Sequence, residues 1–180
     1  MGEAKTRQRP LPVKLFCGLI GSEASIEEAE RLLVEDLGPV DLRSAFLPFD
    51  HTDYYAEEMG TGLKRRWIAF AELRERAYLA QAKHAAVIIE GALSMTRRRT
   101  VNIDPGYVDD AQVVLSTAKN FSHRIYIGKG YYAEVTLICM RTGLKALEWT
   151  YPDYKGEEGL KFFEKVRSAY HRQMRSPDAG

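Results

Sequence analysis

Several things are missing from this chain of 180 residues, and each absence excludes a class of function. There are only two cysteines, Cys17 and Cys139, with no C-x-x-C spacing, so no zinc knuckle can be built. No H-E-x-x-H is present, and no histidine cluster has zinc spacing. No apolar run reaches the ~18 to 20 residues of a membrane span. Neither G-x-x-x-x-G-K-[S/T] nor G-x-G-x-x-G occurs, so the common nucleotide loops are absent. Charge of one sign is also lacking: 26 Lys and Arg against 25 Asp and Glu leave +1. A nucleic-acid-coating domain would be far more basic, although a local basic patch is compatible with this balance. The polar, basic start has no apolar h-region of a signal peptide, which predicts a cytoplasmic protein.

What is present reads as one α+β domain over 11–175, with disordered tails at 1–10 and 176–180. Val13 to Ile20 is a short apolar run that predicts a buried strand. Ser25-Ile26-Glu27-Glu28 reads as a capping box, followed by Ile26, Ala29, Leu33 and Leu37 at helical spacing and a Gly38-Pro39 stop. Val40 to Leu47 and Leu63 to Leu73 read as strands around a polar, aromatic loop, Phe49 to Gly62. Leu73, Ala77, Ala80, His84, Val87 and Gly91 predict a second helix, with His84 as a core histidine. Val101 and Ile103 alternate with Asn102 and Asp104, as in a strand. This βαββαβ order is the ferredoxin-like one. A β-meander then follows, with strands at Gln112 to Thr117, His123 to Ile127, Tyr131 to Met140 and Leu144 to Thr150. A C-terminal helix from about Glu157 to Met174 closes the chain.

The meander suggests a functional face. With three-residue hairpin loops, Arg124 stands opposite Glu134, Tyr126 opposite Tyr132 and Thr136 opposite Glu148. That face is either an ordinary solvated sheet or the wall of a ligand cleft. Neighbouring segments add chemistry to it. Pro105 holds Asp104 extended, and Pro105-Gly106 suits a type II turn leading to Tyr107. Tyr151-Pro152-Asp153-Tyr154 brings two more phenols and a carboxylate. Arg97 to Arg99, with Lys64 to Arg66, form either a solvated strand end or an anion patch, because Arg is a natural bidentate phosphate partner. Asp50 to Asp53 is either a solvated loop or a source of metal ligands. Ser116-x-x-Lys119 matches a penicillin-binding motif in form, but it closes a strand instead of opening a helix and is rejected as a nucleophile. Cys17 and Cys139 read as buried structural thiols.

Two functional readings follow. In the first, the chain is a small enzyme or ligand-binding domain for an anionic molecule, phosphorylated or nucleotide-like. Asp104, Glu134 and His123 are then the catalytic candidates, as acid and base or as ligands of a divalent cation such as Mg²⁺. Arg98, Lys119 and Arg124 would bind the anion. Asn102, Tyr107, Tyr132, Tyr151 and Asp153 would complete the ligand contacts. In the second reading, the chain is a non-catalytic adaptor whose tyrosines contact a protein or a single-stranded nucleic acid.

Several segments carry a resemblance: Pro12 to Phe16, Thr52 to Tyr55 with Glu58-Met59-Gly60, Val101-Asn102-Ile103-Asp104-Pro105-Gly106-Tyr107, Ser122 to Tyr126, Tyr131 to Leu137, and Trp149-Thr150-Tyr151-Pro152-Asp153-Tyr154. Over roughly residues 11 to 170 the sequence resembles the DUF4416 family, a prokaryotic family of unknown function. The resemblance implies no reaction, cofactor or catalytic residue. It does mark these polar segments as the family's recognisable ones.

Overall fold

Val13–Gly21 is buried at every position, so this strand, β1, has to be covered on both faces. The computed structural model, which describes residues 10–50, 54–96 and 98–175, places it inside a nine-stranded sheet. β4 (Lys64–Arg74) pairs with one edge of β1 and β5 (Val101–Val108) with the other, both antiparallel. β2 (Val40–Arg43) and the short β3 (Leu47–Pro48) line the outer edge of β4. The crossovers are α1 (Glu23–Leu37) and α3 (Leu79–Ala92), and α2 (Ala56–Met59) sits in the loop after β3. The order β2-β4-β1-β5 is the ferredoxin-like arrangement.

The free edge of β5 carries the meander. β6 (Gln112–Thr117) pairs with β5, β8 (Tyr131–Met140) with β6, and β7 (Ile125–Gly128) ends the sheet. β9 (Gly143–Ala146) pairs with the far half of β8. α4 (Pro152–Lys155) then leads into α5 (Glu157–Arg175). Alternation along β1 sorts the two layers. Val13, Leu15, Cys17 and Leu19 pack under α1 and α3, while Phe16 packs under α5 with Trp67, Phe162, Phe163 and Val166. Residues 162, 163, 166 and 170 of α5 are buried, one helical stripe facing the sheet. Burying each such large side chain contributes about 1.5–3 kcal/mol. No helix among the described residues is long and apolar enough to cross a membrane.

Several local expectations are corrected. The cap of α1 is Ser22, one turn earlier than Ser25; its hydroxyl accepts from the Ser25 N–H at 3.1 Å. The expected strand from Val40 to Leu47 breaks into β2 and β3. β4 runs on to Arg74, so α3 starts later and is phased differently, leaving His84 exposed beside the Tyr131 hydroxyl at 3.2 Å. Pro105-Gly106 makes no turn and continues β5. Gly106 lies between Phe16 of β1 and Leu115 of β6, and only a residue without Cβ fits there. The second hairpin turns in two residues, with Gly143 at φ 125°, so Met140 faces Gly143 and Leu137 faces Ala146. The expected Thr136–Glu148 pairing does not form, and the Thr150 hydroxyl donates to the Thr136 carbonyl at 2.6 Å. In the first hairpin the pairs Ile125–Ala133 and Tyr126–Tyr132 form as expected, with a bulge before Gly128. The strand starts at Ile125, so His123 lies in the preceding turn. Residues 1–9 of the tail expected at 1–10, the tail expected at 176–180 and the 51–53 part of the metal-ligand loop lie outside the described residues.

Gly106→Ala tests how tightly β5 is held. The added Cβ would stand 2.3 Å from both the Phe16 ring and the Val114 carbonyl oxygen. The expected cost is about 3 kcal/mol in urea denaturation, at the upper end of ordinary overpacking.

Candidate functional site

The site begins with a missing hydrogen bond. β5 and β6 pair only from Gly106–Leu115 to Val108–Val113. Pro105 has no N–H, so the ladder cannot continue through it. Instead the Ser116 hydroxyl donates to the Pro105 carbonyl at 2.6 Å. Beyond that point the strands part, and helix α3 serves the exposed edge of β5. Glu90 accepts from the Ile103 N–H at 2.6 Å, and Lys83 donates to the Ile103 carbonyl at 2.9 Å. Lys83 and Glu90 are seven residues apart, two turns along one helix face, so both reach the same short stretch of strand. Both backbone groups of Ile103 are thereby satisfied without a neighbouring strand.

The parted strands open into a cavity of 460 Å³. Asn102 and Asp104 face it from β5, Ser116 to Lys119 from the end of β6, and Glu134 from β8. Tyr54, Tyr55 and Phe49 close one side, and Tyr151 to Tyr154 another. Lys83 reaches Asp104 at 3.1 Å, and Asn102 donates to it at 2.7 Å. Burial alone would push the Asp104 carboxyl up, but Lys83, Arg65 and these bonds outweigh it and hold it below the ordinary value. Burial would likewise lower Lys83, yet Asp104 and Glu90 keep it above the usual lysine range. Glu90 goes the other way: burial raises it more than Lys83 lowers it.

Arg65 is the deepest cation. Its Nε and Nη2 reach Asp153 Oδ2 at 2.7 and 2.6 Å, and both side chains are buried. The Phe49, Trp67 and Tyr154 rings surround its guanidinium at 5.3 to 5.5 Å. Gly18 makes room for it: a Cβ there would stand 2.8 Å from Arg65 Nη1 and 2.6 Å from the Tyr154 hydroxyl. Arg99 is bound twice by Glu58 and donates to Asn102 at 3.0 Å. Lys119, exposed at the rim, donates to the Tyr54 hydroxyl at 2.7 Å and lies over its ring.

Seven of the sequence-predicted site residues line this one cavity: Asn102, Asp104, Lys119, Arg124, Glu134, Tyr151 and Asp153. Four lie elsewhere. His123 sits beside the cavity, 3.1 Å from the far oxygen of Glu134. Tyr107 lies on the opposite face of β5, in the α1–α3 core, with Arg76 over its ring. Tyr132 packs edge-on against Tyr126, outside the cavity. Arg98 is exposed in a separate groove with Ser22 and Ser25. Lys83, Glu90 and Tyr55 were not expected as site residues; of the expected anion patch at Lys64 to Arg66 and Arg97 to Arg99, Arg65 and Arg99 line the cavity. The available signal was a Lys and a Glu seven apart on an otherwise apolar helix stripe.

No group of three or more His, Cys, Asp or Glu among the described residues is arranged to hold a metal ion. Mg²⁺ would therefore need ligands from a bound molecule as well. The cysteines are poor nucleophiles: burial drives the Cys17 thiol far up and Cys139 to about 11.

The sequence profile of the family described as Domain of unknown function (DUF4416) matches residues 11–170. The chain belongs to that family. No curated protein and no solved structure matches it.

Two outcomes follow from the α3 contacts. Lys83→Met should cost about 3 kcal/mol in urea denaturation, because it leaves the Ile103 carbonyl and the Asp104 carboxylate without their buried donor. Asp104→Asn should be less stable than wild type at neutral pH. The Asp104 carboxyl is held below its ordinary 3.8, so its contribution is present above that pH and lost as pH falls through the folded value. The stability gap between the two proteins should close below pH 3.8; a constant gap would show that the carboxylate charge contributes nothing.

Proposed function

We propose that this member of the DUF4416 family binds, and acts on, an anionic small molecule of the phosphorylated or nucleotide-like kind. The observation that carries the reading is the charge of the cavity wall. Five cations, Arg65, Lys83, Arg99, Lys119 and Arg124, face four carboxylates, Glu90, Asp104, Glu134 and Asp153. All four carboxylates are already bonded inside the wall, to Lys83, Arg65, Arg124 or the Ile103 N–H. Lys119, at the rim, is bonded to a hydroxyl and, among the described residues, to no carboxylate. Arg99 is itself held by Glu58, so among the described residues Lys119 is the wall cation that stands without a carboxylate, at the entrance where an anion arrives.

The aromatic walls supply the rest. Tyr54, Tyr55 and Tyr151 offer flat apolar area with hydroxyls at the edge, suited to a base or a sugar ring. Lys119 and Arg124 take the anion, with Asn102 beside it. Asp104, held ionised, and Glu134 are the acid–base pair. Asp153 serves the site by holding Arg65 in place.

One observation favours the adaptor reading. Phe121, Ile125 and Tyr126 are 63%, 74% and 60% exposed beside the edge strand β7. A thermal-shift screen with nucleotides, sugar phosphates and divalent ions separates the two. A ligand at 100 times its Kd adds about 2.7 kcal/mol, which raises Tm by roughly 5–10 °C for a chain of this size. Lys119→Ala should abolish the shift and Tyr126→Ala should not. No shift across the panel, together with capture of a partner that Tyr126→Ala prevents, would establish the adaptor.

A further inference from the structure

The two oxygens of Glu134 have unlike surroundings. Oε2 accepts from Arg124 Nε at 2.7 Å and lies 3.1 Å from His123 Nε2. His123 is stacked on Trp149, with ring centroids 4.7 Å apart and planes 13° apart, and the Trp149 indole N–H donates to the Val135 carbonyl at 2.8 Å. That stack fixes the carboxylate from behind. Oε1 is buried and has no hydrogen-bond partner among the described residues, although Glu134 lines the cavity and is only 3% exposed. Arg124 turns Nη1 to the Lys119 carbonyl at 3.0 Å and Nη2 to the Tyr151 hydroxyl at 3.3 Å, and neither bonds to Oε1. A buried carboxylate oxygen without a donor is costly, so such a group calls for one.

We propose that the missing donor belongs to the ligand, and that Glu134 Oε1 accepts a hydroxyl O–H or an amine N–H from it. This rests on the anion-binding reading above and narrows it. The ligand class is a phosphorylated molecule that also bears a hydroxyl or amino group, such as a polyol phosphate, a phosphoamine or a ribonucleotide. The anion enters past Lys119, and the donor reaches Glu134 on the inner wall. A site with a fixed acceptor of this kind rejects an analogue that lacks the donor, because the acceptor is then left unpaired.

Calorimetric titration of the full chain with matched pairs tests this. The pairs are glycerol 3-phosphate against propyl phosphate, phosphoethanolamine against ethyl phosphate, and AMP against its 2′,3′-dideoxy analogue. The expected result is roughly 10- to 100-fold tighter binding of the donor-bearing member of at least one pair, the range for a hydrogen bond to a charged acceptor. Glu134→Met, of similar length and without an acceptor oxygen, should bind both members of that pair alike. If that variant does not fold, the wild-type comparison still decides. Equal binding of both members by wild type overturns the inference and leaves the anion-binding reading standing. A donor preference that survives Glu134→Met overturns it as well. Binding of none of these anions removes the anion-binding reading and this inference together.

Discussion

Pro105 cannot donate a hydrogen bond, and it stands in β5 on the edge that faces β6. Ile103, two residues before it, presents its N–H and carbonyl to the same side, where Glu90 and Lys83 meet them. The ladder to β6 therefore stops at Gly106, and the sheet divides there. Helix side chains take the place of both missing strand contacts of Ile103. The substitution has a chemical consequence, since it carries a lysine and a glutamate through the helix layer to the wall of a cleft. Asp104 is then ionised within reach of a buried cation, in the middle of a strand that Phe16 and Gly106 lock against β1. The parting of the strands, and with it the arrival of Lys83 and Glu90 at the cavity wall, follows from one residue that cannot pair.

The architecture was legible where patterns were long. The all-buried β1, the Gly38-Pro39 stop and the stripe of α5 each point to the element that forms. Seven of the expected residues line one cavity, but only Asn102, Asp104 and Glu134 reach it by strand alternation; Lys119, Arg124, Tyr151 and Asp153 come from outside the strands. The failures are failures of phase. Taking Pro105-Gly106 as a turn put Tyr107 beside Asp104; with β5 unbroken, the two fall on opposite faces by simple alternation. Starting the second helix at Leu73 aligned its stripe on His84 and Val87, and so hid Lys83 and Glu90. A hairpin one residue shorter than assumed moved Glu148 out of register. The guanidinium cage of Arg65 brings together Phe49, Trp67 and Tyr154 from three separate segments, so no local pattern could announce it.

Two regions of the sheet differ in character. Around β5 the charges are paired and partly or fully enclosed, and the aromatic rings face a concavity. At β7, apolar side chains stand exposed on an edge strand four residues long. Arg124 and Glu134 lie between these regions and join the meander to the cleft. A ligand-binding protein would therefore use the middle of the sheet and an adaptor its β7 edge.

Backbone amide shifts followed by NMR, on titration with the phosphorylated compound that stabilises the protein most, distinguish these regions directly. The perturbed amides should cluster at Ile103, at Ser116 to Lys119, at Glu134 and at Tyr151, Asp153 and Tyr154. Perturbations confined to Phe121, Ile125 and Tyr126, with the cleft unaffected, would contradict it.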